Sequence, residues 1–137
     1  MISQLAIYGV LLFAAWMALV GGIMLLAPDS ALSVMRMAGS TAVINIAEQS
    51  LRFIFGLALM GAAHLSRFPE AFTWIGGFIA VTSVLILLVP RRWHHAYALW
   101  WADRLHPTIV RILAPVSFAL ALVLVCAVMI DLPAPTG

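Results

Sequence analysis

The sequence predicts an all-α membrane protein: four transmembrane helices in a compact bundle, two short interfacial helices on the cytoplasmic side, and a tandem hairpin repeat. Three observations lead there. Charged residues make up 9% of the 137-residue chain and hydrophobic residues 65%, against about 25% charged in a soluble globular domain, and the mean hydropathy is +1.13. Four apolar runs approach or exceed the roughly 20 residues needed to cross a hydrocarbon core of about 30 Å. Six of the seven basic residues, Arg36, Arg52, Arg91, Arg92, Arg104 and Arg111, fall on one side of these runs and only Arg67 on the other.

The first span covers residues 5–27. It carries no charge and stops at Pro28 and Asp29, which suit the end of one helix and the cap of the next. The segment before it lacks Lys and Arg, and the apolar run exceeds the usual signal-peptide core, so the span is expected to be retained. The first interfacial helix covers 30–38, capped by Asp29 and closed by Gly39. Leu32, Met35 and Met37 give it an apolar face for the bilayer surface.

The second span requires an argument from length. Phe53 to Leu65 covers only about 20 Å at 1.5 Å per residue, roughly 10 Å short of the hydrocarbon core. The helix must therefore start near Val43 and run over 43–65, which draws Asn45, Glu48, Gln49 and Arg52 below the surface. These four recur at i, i+3, i+4 and i+7 and form one polar stripe. Glu48 and Arg52 are spaced to neutralise each other, with the stripe turned toward other helices rather than lipid.

The third span, 71–89, is opened by Pro69 and Glu70 and ended by Pro90. The second interfacial helix covers 91–106 and reads RRWHHAYALWWADRLH. Its helical spacing aligns Trp93, Tyr97, Trp100 and Arg104, with Trp101 beside them. Together with Arg91 and Arg92 this face is expected to anchor in headgroups or on a partner, with Arg104 stacking over Trp100. The fourth span covers 110–130. Its charge-free part from Ile112 is long enough to cross without Arg111, which is left at the interface, and Pro115 is expected to bend it. A polar tail, DLPAPTG, closes the chain.

The two halves echo each other. GIMLLAP (22–28) and LILLVP (85–90) each lead into a surface helix, and SLRFIFGLAL (50–59) parallels IVRILAPVSF (109–118). With two spans per unit, the copies would have the same orientation. Ala14, Ala18, Gly22, Gly56, Gly61, Gly76, Gly77 and Ala80 mark faces where helices can approach closely. A single polytopic domain over 1–137 accounts for the whole sequence.

The arginine asymmetry places the chain as a multi-pass protein of the bacterial cytoplasmic (inner) membrane with both termini on the non-cytoplasmic side. The net charge of +2 rests on too few basic residues for nucleic-acid binding. Cys126 has no partner in the chain and reads as a small buried hydrophobe.

No phosphate-binding glycine loop, nucleophile elbow or HExxH motif is present, so no catalytic residue is assigned and no cofactor is expected. Asp103 and His106, at i and i+3, are a two-ligand metal fragment short of the three or four ligands a zinc site needs. His64 lies at the opposite depth from His94, His95 and His106, which works against a haem clamped within one subunit. The leading functional expectation is a non-enzymatic accessory or scaffold subunit that packs with itself, as a homo-oligomer, or with a larger membrane complex, surrounded by membrane lipids including anionic ones. The alternatives are a small oligomeric transporter or channel using the Glu48/Arg52 stripe and, more remotely, a haem- or metal-binding membrane enzyme.

Overall fold

The computed structural model describes residues 1–129, and every regular element in them is helical. The described residues form six α-helices: α1 (Ile2–Leu26), α2 (Pro28–Met37), α3 (Ala42–Ala62), α4 (Pro69–Leu88), α5 (Arg91–Arg104) and α6 (Pro107–Met129). A 3-10 turn, Ala63–Leu65, extends α3. Four helical segments, Ile2–Leu26, Ala42–Leu65, Pro69–Leu88 and Pro107–Met129, are long and apolar enough to cross a membrane. Ile130, expected at the end of the fourth span, and the polar tail lie outside the described residues.

Local chemistry sets the boundaries. Pro28 opens α2 at its first position, where its missing N–H costs no intrahelical bond. Ala27 is therefore the N-cap, and Asp29, expected as the cap, lies instead in the first turn, where a carboxylate complements the helix dipole. Gly39 follows the α2 C-cap with φ +66°, a left-handed conformation that favours glycine. Two residues later Thr41 caps α3, its Oγ1 accepting from the Ile44 N–H at 3.1 Å. The second span thus begins at Ala42 and continues as helix through Asn45, Glu48, Gln49 and Arg52.

The second surface helix is shorter than its expected 91–106. It ends at Arg104, with Leu105 extended, and α6 starts at Pro107. A residue preceding proline is pushed out of the helical region, so His106 is not helical and loses the i, i+3 relation to Asp103 on which a two-ligand fragment depended.

The element order long, short, long occurs twice, as α1–α2–α3 and α4–α5–α6. α3 packs on α4 and α6 packs on α1, an exchange the repeat would demand, while α1 also packs on α3. α4 and α6 are not among the closely packed helix pairs of the described residues. At one end Ile7, Val10, Leu59, Ala62, Phe72 and Val128 join α1, α3, α4 and α6 in one buried cluster.

Close crossings are set by small residues. A Cβ on Gly56 would lie 2.7 Å from the Gly76 carbonyl oxygen, and one on Gly76 2.6 Å from that of Gly56, so α3 and α4 approach backbone to backbone. Gly9, which the sequence pattern did not single out, meets Ala58 across α1 and α3. Gly22 and Gly77, expected at contacts, face open space. Pro115 lies inside α6, which continues through it to Met129.

Candidate functional site

The polar residues gather where α2 and α5 lie against each other at one end of the long helices. Five contacts fasten the two halves there. Arg36 of α2 pairs with Asp103 of α5 at 2.9 Å, and also donates to the Ala102 carbonyl at 3.4 Å. Arg91 donates to the Ser40 carbonyl. His95 Nδ1 lies 2.9 Å from the Ala38 carbonyl oxygen, and His94 Nδ1 lies 2.8 Å from Asn45 Oδ1. Both acceptors are carbonyl oxygens, so in each contact the ring Nδ1–H is the donor.

The expected stripe divides into two behaviours. Asn45 is buried and held by His94, and Gln49 is 1% exposed. Among the described residues, Gln49 Oε1 has no hydrogen-bond partner. Glu48 is half-buried, and its Oε2 accepts from the Gly39 N–H at 3.3 Å; Arg52 is exposed. The anticipated neutralisation of Glu48 by Arg52 is not formed: Arg36–Asp103 is the ion pair among the described residues. An i, i+4 spacing permits such a pair, but here Glu48 turns toward the backbone of the α2–α3 turn.

Glu48, Gln49, Arg52 and His94 line one cleft of about 280 Å³, together with Trp16, Ala38 and Leu51. Trp16, Leu51 and Arg52 also line an adjoining apolar cleft of about 240 Å³, where Phe13 and Phe55 stack at 4.6 Å. Scanned against protein-family models, curated proteins and solved structures, the chain finds no match. Any functional reading therefore rests on the geometry.

The second surface helix presents an aromatic ladder. Trp93, Tyr97, Trp100 and Trp101 are all exposed. Trp101 meets Trp100 edge-on at 5.0 Å and Tyr97 at 6.3 Å. Arg104 lies 3.7 Å over the Trp100 ring and donates to the Trp100 carbonyl, and Arg92 is exposed nearby. This arrangement offers flat apolar faces and positive charge together, the combination that suits a headgroup layer.

Asp103 and His106 are not brought together as metal ligands: Asp103 is taken by Arg36, and His106 Nδ1 lies 3.1 Å from Thr108 Oγ1. His64 meets Ser3 at 3.3 Å. Among the described residues, no three His, Cys, Asp or Glu side chains come together as a metal site would require.

Sequence reasoning missed the partners of His94 and His95, and that of Arg111, whose Nε donates to the Leu25 carbonyl at 3.0 Å in the last turn of α1. That carbonyl is one of the four a helix C-terminus leaves unpaired. The signal available was the duplicated proline and surface-helix pattern, which sets α2 and its turn opposite α5.

Proposed function

We propose that this chain is a multi-pass protein of the bacterial cytoplasmic membrane, both termini outside, acting as a non-enzymatic accessory or scaffold subunit. The observation that carries this reading is the fastened pair of surface helices. Arg36, Asp103, His94, His95 and Arg91 are engaged in holding α2, the α2–α3 turn and the first turn of α3 to α5. The exposed ladder Trp93, Tyr97, Trp100 and Trp101 is thereby presented on a fixed platform. Aromatic and arginine side chains are the residues that anchor interfaces most strongly. The occupant is a second copy or a larger membrane complex. Extraction in native lipid followed by intact-complex mass spectrometry tests it: a stable partner or homo-oligomer is expected, lost in Trp93→Ala/Trp100→Ala, and a monomer alone would refute it.

A second reading, a small oligomeric transporter or channel, is favoured by the cleft that gathers Glu48, Gln49 and Arg52. Ionisable side chains within a spanning helix line ion and substrate paths more often than lipid. Vesicles containing a pH-sensitive dye and the purified chain test it for protons. A proton flux abolished in Glu48→Gln is expected, and an unchanged flux in that variant removes Glu48 from any such path.

A further inference from the structure

We infer that the polar cleft and the apolar groove leading from it hold one phospholipid with a primary-ammonium headgroup. Three observations converge on that occupant. The first is Gln49 Oε1, an acceptor on a 1% exposed side chain with no partner among the described residues, lining the cleft. A buried carbonyl oxygen left unpaired is destabilising, and an N–H donor from a ligand removes that penalty.

The second is charge. Beside Gln49, Glu48 has one oxygen on the Gly39 N–H at 3.3 Å and its other free to accept, while Arg52 has no ion-pair partner among the described residues. Two acceptors, one of them anionic, next to a guanidinium call for a ligand carrying both an ammonium and an anion. The guanidinium disfavours a lone metal cation, and the carboxylate disfavours a lone phosphate. An ammonium on Glu48 and Gln49 with a phosphate on Arg52 satisfies all three groups, and Arg matches phosphate geometry through its fork of donors.

The third is continuity with apolar space. Arg52 and Trp16 line both the polar cleft and the 240 Å³ apolar cleft beside it. Phe13, Met17 and Ile79 line both that cleft and a third, adjacent space of about 270 Å³, lined wholly by apolar side chains of α1, α3, α4 and α6 and of Phe68. Gln49 to Leu59 covers about 15 Å of helix, half of a hydrocarbon core of about 30 Å. That is the depth of one leaflet, so a headgroup at Gln49 sets an acyl chain along the groove between α4 and α6. A water-soluble zwitterion would leave that groove unused.

The test is native mass spectrometry of the delipidated full chain titrated with phosphatidylethanolamine, phosphatidylcholine and phosphatidylglycerol of identical acyl chains. One ethanolamine lipid per chain is expected. The choline lipid, whose ammonium has no N–H, and the glycerol lipid, which has no ammonium, are expected to bind about tenfold more weakly or less. Gln49→Leu and Glu48→Gln are expected to lose this preference, and Ile79→Trp to weaken all three lipids by filling the groove. Gln49→Leu removes an unsatisfied buried atom, so its lipid-free melting temperature is expected to hold or rise, which separates lost binding from lost folding. Equal retention of the three lipids, no retention of any, or an undiminished preference in Gln49→Leu overturns the inference. The readout needs no partner subunit and no flux, so it fails or holds apart from the functional readings above.

Discussion

His94 Nδ1 donates to Asn45 Oδ1 across 2.8 Å, joining α5 to the first turn of α3, 49 residues earlier in the chain. The bond is partly buried and ties the two halves of the chain together. Interhelical hydrogen bonds in membrane proteins average about 0.6 kcal/mol and reach about 1.7. Asn45→Ala and His94→Ala are each expected to destabilise by about 1 kcal/mol, and the double variant by less than the sum. A double-mutant cycle of denaturant unfolding in detergent measures the coupling, and strict additivity would show that the bond contributes nothing.

The Arg36–Asp103 pair is expected to behave differently. Its side chains are 44% and 63% exposed, and exposed ion pairs contribute about 0–1 kcal/mol. Asp103→Asn should therefore change stability by less than about 0.5 kcal/mol and less still at high salt. The same unfolding assay, run at low and high salt, checks both parts.

Gly39 is doubly constrained. Its φ of +66° disfavours any side chain, and a Cβ there would lie 2.9 Å from His94 Nδ1. Gly39→Ala is expected to destabilise by about 1–3 kcal/mol. It should also disturb the His94–Asn45 bond, visible as loss of the coupling in the cycle above. Gly22→Ala, whose Cβ meets nothing within 4 Å, is the matched control and should be neutral or slightly stabilising.

At the α3–α4 crossing the expected effect is steric. A Cβ on Gly56 or Gly76 would lie under 3 Å from backbone atoms of the facing helix, whereas Gly77 one residue on faces open space. Gly76→Val should force the helices apart and cost about 1–3 kcal/mol, and Gly77→Val should be nearly silent. Melting temperatures of the two variants, measured side by side in the same detergent, decide the point.

The long helices were legible because few charges interrupt their apolar runs and prolines punctuate them. Pro28, Pro69 and Pro107 each open a helix, so the boundaries shifted by only a few residues from those the pattern predicts. The stripe Asn45, Glu48, Gln49 and Arg52 was legible as a set, since its spacing is a property of one helix. Its partners were not. The Glu48–Arg52 pair that spacing suggested is replaced by a bond from Glu48 to the Gly39 amide, and Asn45 is held by a histidine half a chain away. Helical periodicity tells which side chains share a face, while the identity of what faces them depends on how the second half folds over the first. Gly9 escaped notice for the same reason: it lies on the first span beside no obvious small-residue partner until Ala58 is brought against it.

The placement of the stripe relative to water yields the last prediction. The helix from Ala42 to Leu65 is about 36 Å long at 1.5 Å per residue, some 6 Å more than a hydrocarbon core. If that excess lies at the Thr41 end, about one turn projects into the headgroups, and Asn45 and Gln49 fall at or below the boundary. On the proposed orientation, and with Cys126 replaced by serine, a cysteine at position 30 of α2 or 96 of α5, both exposed, should react with a membrane-impermeant maleimide only after the cytoplasmic face is opened. A cysteine at exposed position 67 should react in intact cells. Cysteines at 45 and 49 should stay unreactive from either side until the protein is unfolded, because both positions are buried within the fold itself. Free labelling at 45 and 49 in the folded protein would mean that the polar stripe is bathed in water, and an ammonium headgroup would then have no advantage there over a water molecule.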